Sequence, residues 1–213
     1  MKLVLLGPPG AGKGTQACKI SERLGIPHIS TGDILRNEVA KGSSLGKKAL
    51  GYMNEGKLVP DEIILEIIKN RIVETDASRG FLMDGFPRNL KQARMFSEIL
   101  NSLDMKLDRV INIEVSQDEI IKRLSNRRVC EGCGKVYKVD GGDLNIEEKR
   151  CERCGGKLKK RSDDEINVIL NRLKVYENET KPLVDYYTSE GLVINVDGNG
   201  NEEEVTKRIL ESL

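Results

Sequence analysis

Residues 2–15, Lys2-Leu-Val-Leu-Leu-Gly-Pro-Pro-Gly-Ala-Gly-Lys-Gly-Thr15, decide the fold. Leu3 to Leu6 is a continuous apolar run, the pattern of a strand buried on both faces. Gly7, Gly10, Gly12 and Gly14 then surround Lys13, and helical patterning runs on to about Leu24. A glycine-rich turn between a strand and a helix lets several backbone N–H groups converge on one phosphate, because no Cβ keeps the backbone away. Lys13 would then reach the β- and γ-phosphates of a nucleotide. The strict form of this motif has Ser or Thr directly after the lysine. Here Gly14 intervenes and Thr15 comes one later. An ordinary strand–helix turn is the plain alternative, and four glycines around a lysine weigh against it.

Working outward, helices are expected over Thr31–Lys41, Leu45–Asn54 and about Glu62–Glu74, the last capped by Asp61. Gly80–Met83 reads as a short strand and Leu90–Leu103 as a helix. Arg109–Val115 reads as a strand and Gln117–Arg128 as a helix. Residues 129–161 break this rhythm with cysteines, glycines and few large apolar residues. Helical patterning returns over Asp163–Tyr187, then a strand over Leu192–Val196 and a closing helix over Glu202–Leu213. Strands that alternate with helices imply an α/β fold with parallel strands and right-handed crossovers.

The chain has 213 residues, enough for one α/β domain with small insertions, and a formal net charge of +1. That balance gives no field to draw in nucleic acid or an anionic membrane. Aromatic residues are 4% and tryptophan is absent, which disfavours stacking on single strands. No stretch approaches the 18 or so apolar residues of a membrane span. The first residues carry no signal-peptide pattern, so a reducing, cytoplasmic setting is expected, and five cysteines there suggest metal or redox chemistry before disulfides.

Four of those cysteines form two copies of CxxCG, Cys130–Gly134 and Cys151–Gly155, with 17 residues between Cys133 and Cys151. Cys130, Cys133, Cys151 and Cys154 have the spacing of a four-cysteine zinc site, with a glycine after each pair for the tight knuckle. Four protein ligands leave no open position, so the metal is expected to be structural. Two disulfides or free thiols are the alternatives, and iron could take the same ligands. Cys18 is expected to pack as a small residue within its helix, and the sole histidine, His28, to have a local structural role.

With the loop GPPGAGKGT in place, the remaining motifs resemble those of the adenylate kinase family across essentially the whole chain. These are Ile29-Ser30-Thr31-Gly32-Asp33 with Arg36, Gly56-Lys57-Leu58-Val59-Pro60-Asp61, and Leu82-Met83-Asp84-Gly85-Phe86-Pro87-Arg88 with Gln92. Arg123 and Arg127-Arg128-Val129 precede the cysteine segment, Arg161-Ser162-Asp163-Asp164 and Arg172 follow it, and Val196-Asp197-Gly198 lies near the end. The resemblance implies a P-loop nucleoside monophosphate kinase fold with a central parallel five-stranded sheet flanked by helices. It implies a core at 1–29, 60–126 and 165–213, an AMP-binding segment at 30–59, and a lid at 127–164 of the bacterial zinc-containing type. The implied reaction is reversible transfer of a phosphoryl group from MgATP to AMP, giving two ADP.

Roles carry over on the same terms. Gly10, Ala11, Gly12, Lys13, Gly14 and Thr15 hold the ATP phosphates. Arg123, Val136, Tyr137 and a backbone carbonyl near Gly200 lie toward ATP, though Asn199-Gly200-Asn201 departs from the family's usual residues. Arg36 and Arg88 take the AMP phosphate, and Thr31, Lys57, Leu58, Val59, Gly85, Phe86, Pro87 and Gln92 shape the AMP site. Asp84 organises hydrated Mg2+. Arg127, Arg161 and Arg172 converge with Lys13 and Arg88 on the transferring group, and Asp163 and Asp164 pair with arginines as the lid closes. Phosphoryl transfer needs alignment and charge neutralisation more than a protein nucleophile. The sequence accordingly offers arginines and a lysine, and no Ser–His or Cys–His pair stands out. A solvated helix face is the plain alternative for an isolated Arg123 or Arg172. ATP, AMP and ADP are the expected partners of a monomer that binds neither nucleic acid nor membrane. The rivals are a kinase for UMP, CMP or GMP, and a non-enzymatic nucleotide-binding module whose metal knuckles contact RNA or protein.

Overall fold

A computed structural model describes residues 1–139 and 149–213; residues 140–148, inside the expected lid, lie outside the described residues. The chain runs β1 (Lys2–Leu6), α1 (Lys13–Leu24), β2 (His28–Ser30), α2 (Thr31–Lys41), α3 (Ser44–Asn54), α4 (Asp61–Ile72), β3 (Phe81–Asp84), α5 (Leu90–Ser102), β4 (Arg109–Glu114) and α6 (Gln117–Ser125). It continues through β5 (Arg127–Cys130), β6 (Val136–Lys138), β7 (Leu158–Lys159), α7 (Ile166–Val175), α8 (Pro182–Ser189), β8 (Val193–Asp197) and α9 (Glu202–Ser212).

Five strands form one sheet in the order β2-β3-β1-β4-β8, with every neighbouring pair parallel. Alternate residues of β1 feed opposite faces. Val4 and Leu6 pack with Met83, Phe86, Phe96 and Tyr187, whereas Leu3 and Leu5 pack with Ala17, Ile20, Val205 and Ile209. All four β1 residues are almost fully buried, and each such side chain contributes about 1.5–3 kcal/mol on burial. Because the strands are parallel, their carboxyl ends share one edge, where ligands of open α/β sheets bind. That edge presents Gly7, Ser30, Asp84 and Glu114.

Four differences from the sequence expectations have clear causes. His28–Ser30 forms a fifth strand that the residue pattern did not reveal, since three residues show no period; pairing to β3 defines it. Arg127 and Arg128 leave the helix at Ser125 and pair with Lys138 and Tyr137 in a second, antiparallel sheet ordered β6-β5-β7. The helix expected over 163–187 is broken. A 3₁₀ turn spans Ser162–Asp164, and a π turn spans Tyr176–Thr180, with Lys181 N–H donating to Tyr176 O at 2.9 Å. Pro182 has no N–H and its ring crowds the preceding turn, so the ladder widens before α8 can start. Asp61 is the first residue of α4 rather than its cap, because its carboxylate is taken by Asn89 Nδ2 (3.1 Å) and Gln92 Nε2 (2.7 Å).

Candidate functional site

The loop after β1 is held open by glycine. Gly7, Gly10 and Gly12 have φ of 138°, 85° and 94°, and a Cβ on Gly10 would meet Leu124 Cγ at 2.8 Å. Gly12 caps α1 without any side-chain partner, so the first amides of α1 remain free to bind an anion. Lys13 Nζ donates to Gly7 O (2.7 Å) and Pro8 O (2.9 Å), folded back over its own loop. Burial lowers its pKa to about 8, with Asp84 opposing and Arg88, Arg172 and Arg127 adding to the fall. Gly14 sets the first turn of α1 beside β3: a Cβ there would lie 3.6 Å from Asp84 Oδ2. The residue that departs from the strict motif is thus the one facing the Asp84 carboxylate.

Cationic side chains gather around this point. Arg127 grips Asp164 with two bonds, Nε to Oδ2 at 2.8 Å and an NH2 group to Oδ1 at 2.5 Å, and the Asp164 side chain is fully buried. Arg172 reaches Asp163 O (2.8 Å), Asp163 Oδ2 (3.1 Å) and Asp164 Oδ1 (3.3 Å). The arginines hold the Asp163 carboxyl below its usual range against the effect of burial. Arg161 is different: its Nε is buried with no hydrogen-bond partner among the described residues, and burial followed by Arg127 and Arg36 pulls its guanidinium down to about 10. Arg88 opens to the cleft and donates from Nε to Gly85 O at 2.7 Å. The surrounding protein, and then Arg172, bring it to about 10. Arg36 pairs with Asp33 at 2.5 Å.

Two cavities meet among these residues. One, of about 80 Å³, is lined by Thr31, Arg36, Lys57, Val59 and Gln92. The other, of about 90 Å³, is lined by Gly7, Pro9, Lys13, Pro87, Tyr176 and Thr180. Gly56, Leu58, Gly85, Arg88 and Arg172 line both. Sequence reasoning missed Leu35, Met53 and Ile64 in the first cavity, which carry only the ordinary signature of a helix face. It also missed Thr180, whose Oγ1 donates to Arg88 O at 2.7 Å. Phe86 is fully buried and edge-on to Phe96 (ring centroids 5.2 Å apart), so only its backbone can face a ligand. Gln92 is buried, with Oε1 accepting from Arg88 N–H (2.7 Å) and Nε2 bound to Asp61. Its amide orientation is therefore fixed before any ligand arrives.

Arg123 is not a free surface residue. Its Nε donates to Glu119 (2.7 Å) and an NH2 group to Gly198 O (3.1 Å), which brings it to the 198–200 turn. Gly200, at φ 106°, is exposed there and precedes the Asn201–Glu204 capping box. Cys18 is exposed rather than packed, with Sγ 3.8 Å from His28 Nδ1.

The second sheet carries the four remaining cysteines. All are free thiols, and their sulfurs lie within 4.8 Å of one another. Cys130 and Cys154 sulfurs are 3.3 Å apart, and those of Cys133 and Cys151 are 3.5 Å apart. A zinc tetrahedron has sulfur–sulfur edges of roughly 3.8 Å, so the set fits a metal of that size. Each knuckle closes the same way: Gly134 N–H donates to Cys130 O (3.0 Å) and Gly155 N–H to Cys151 O (2.7 Å), with φ of 71° and 70°. A Cβ on Gly156 would come within 2.8 Å of Cys130 Sγ, a further requirement for glycine. The Tyr137 hydroxyl donates to Cys151 Sγ at 3.2 Å, so this side chain faces the sulfurs and not the cleft. Val136, the next residue on β6, is exposed on the opposite side of the strand.

The second sheet also touches the rest of the chain. Lys138 pairs with Glu202 at 3.6 Å, and Ser162 Oγ donates to Asn54 Oδ1 at 3.2 Å. No helix among the described residues is long and apolar enough to cross a membrane.

The family model described as adenylate kinase matches residues 5–192. A curated protein named adenylate kinase from Archaeoglobus fulgidus is 49% identical over 209 residues, covering 98% of this chain and 96% of its own. One from Streptomyces avermitilis is 47% identical over 214 residues, covering 100% and 97%. One from Thermodesulfovibrio yellowstonii is 46% identical over 209 residues, covering 98% and 97%.

Proposed function

The chain belongs to the adenylate kinase family, enzymes that transfer a phosphoryl group reversibly between ATP and AMP, and from that premise we propose that its two adjoining cavities are the acceptor and donor sites of a direct, in-line transfer. The observation that carries this is the shared wall: Gly85, Arg88 and Arg172 line both cavities, so a group leaving one nucleotide enters the other beside two guanidiniums.

AMP fills the cavity at Thr31, Arg36, Lys57–Val59 and Gln92, with its phosphate on Arg36 and Arg88. The amides of Gly10–Thr15 and Lys13 hold the donor phosphates. On binding, Lys13 exchanges the carbonyls of Gly7 and Pro8 for phosphate oxygens. The charge of the transferring group is spread over its oxygens, and Arg88, Arg127, Arg161 and Arg172 supply fixed positive charge where it develops. The Arg161 Nε already lacks a partner, as a donor reserved for an anion does. No general base is needed, because the accepting phosphate is already ionised.

The Asp84 carboxylate, at the strand edge beside Gly14, would hold hydrated Mg2+, which would neutralise phosphate charge. Cys130, Cys133, Cys151 and Cys154 would hold structural zinc, which would supply folding energy to a segment whose buried core, among the described residues, is Cys130, Cys151 and Leu158. Residues 127–164 act as a lid whose closure over ATP excludes water, so that water does not compete with AMP. The same reading makes the protein a cytoplasmic monomer.

The test is coupled measurement of ADP formation from ATP and Mg2+ with AMP, CMP, UMP or GMP as acceptor. Turnover with AMP at least a hundredfold above the others is expected. Comparable turnover with a pyrimidine nucleotide would overturn the acceptor assignment, and folded, zinc-loaded protein inert with all four would overturn the whole reading.

A further inference from the structure

The four thiols are not equivalent in what surrounds them. Cys130 Sγ receives the backbone N–H of Gly132 at 3.3 Å, a donor independent of any side chain. Cys151 Sγ receives a side chain, the Tyr137 hydroxyl at 3.2 Å. The direction of that hydroxyl proton follows from simple valence. A phenol has one O–H and can accept in addition. Glu152 N–H donates to the Tyr137 oxygen at 3.1 Å, so the oxygen is engaged as acceptor from the knuckle backbone. The single proton is left for the sulfur.

The ring is held as firmly as the hydroxyl. Lys135 Nζ lies 5.0 Å from the ring centroid and also reaches Glu152 at 3.4 Å. Tyr137 sits opposite Arg128 in the β5–β6 pair, next to the pair that joins Val129 to Val136. Side chains alternate along β6, so one strand offers Tyr137 to the sulfurs and turns Val136 and Lys138 the other way, where Lys138 meets Glu202.

We propose that Tyr137 is a positioning residue of the metal site: its hydroxyl donates to the metal-bound Cys151 sulfur, and this bond sets how tightly the lid keeps its metal. The inference rests on the four-cysteine reading given above. Four thiolates around a divalent ion carry excess negative charge. A donor on one sulfur withdraws density from it, stabilises the charged cluster and blunts that sulfur as a nucleophile. Outer hydrogen bonds of this kind typically change metal affinity by about 10- to 100-fold.

The experiment is Tyr137→Phe, which removes one oxygen and leaves the ring, its packing and the lysine above it. Zinc-loaded wild-type protein and variant are first checked for one zinc per chain and equal helical content, then given a chromophoric chelator. The variant is expected to release zinc with at least tenfold weaker affinity. Cobalt-exchanged protein supplies the second reading: loss of the donor raises the sulfur lone pairs, so the sulfur-to-cobalt charge-transfer band moves to longer wavelength. An unmoved band overturns the proposal even if zinc is lost faster, because packing alone would then account for the loss. Affinity within twofold of wild type overturns it as well. Wild-type protein that binds no zinc would instead refute the metal reading on which the inference stands.

Discussion

His28 Nε2 lies 3.5 Å from Asp84 Oδ2, between the neighbouring parallel strands β2 and β3. The imidazole thus joins an exposed thiol, Cys18, to the carboxylate at the mouth of the phosphate site. Among the described residues, His28 is the carboxylate's one ion-pair partner. Burial works against charge on His28, but the Asp84 carboxylate and the Cys18 sulfur outweigh it and raise the pKa from 6.5 to about 9.

A raised pKa in the folded state means that the folded protein binds the proton more tightly than the unfolded chain. The resulting stability is fully present below pH 6.5 and disappears as pH rises through about 9. It amounts to at most about 3 kcal/mol. In magnesium-free buffer the Tm of wild-type protein should fall between pH 6.5 and 9 by several degrees more than that of His28→Gln, which keeps a donor but does not titrate. Parallel Tm profiles for the two proteins would show that His28 is not charged in the fold.

Asp164 is the buried anion that Arg127 and Arg172 share. With the Asp164 side chain fully buried and bound by Arg127 and Arg172, Asp164→Asn takes from Arg127 its charge partner among the described residues and leaves Arg172 with Asp163 alone. Breaking a buried pair from one side costs about 3–5 kcal/mol, a Tm drop of roughly 6–20 °C for a chain of this size. Calorimetry on the variant checks it, and a shift below 3 °C would refute the assignment.

Metal removal should act on stability before chemistry. The second sheet buries only Cys130, Cys151 and Leu158 among the described residues, so stripping metal should lower Tm while protein that stays folded retains most of its turnover. A chelated protein with unchanged melting and no activity would contradict this.

Two glycines of the phosphate loop separate strain from collision. Gly10 and Gly12 both have positive φ, so alanine costs either position about 1–2 kcal/mol of backbone strain. Only at Gly10 does the added carbon also strike Leu124 and Ile120, at 2.8 and 3.2 Å; at Gly12 it meets open space. Gly10→Ala should therefore lower Tm more than Gly12→Ala, and equal losses in thermal melts would count against the packing described.

How much of this was legible beforehand depended on how local each signal is. The phosphate loop is local: the glycines fix its conformation within six residues, and the structure places Gly7, Gly10 and Gly12 in conformations that favour glycine. The cysteine knuckles are local in the same way. The strand His28–Ser30 was not legible, because its existence depends on β3, some fifty residues away. The widened turn before Pro182 was signalled by that proline and overridden by the apolar pattern around it. Gln92 could be marked as a site residue, but its tie to Asp61 joins two helices, and no spacing rule reports it. Tyr137 was placed toward the nucleotide by resemblance alone, whereas its hydroxyl turns to a sulfur some fourteen residues later in the chain.

The unpartnered Nε of Arg161 has a consequence beyond chemistry. Lys13, Arg88 and Arg161 are each pulled down in part by neighbouring arginines, so these cations repel one another even with Asp163 and Asp164 among them, and this repulsion weakens the native state. Any nucleotide that settles there stabilises the fold as a ligand does: at a hundred times its Kd it contributes about 2.7 kcal/mol. In a nucleotide-rich medium the sturdy form is the occupied one, and depletion of nucleotide leaves the chain more open to proteases and heat. Substrate supply would then govern the protein's lifetime as well as its rate.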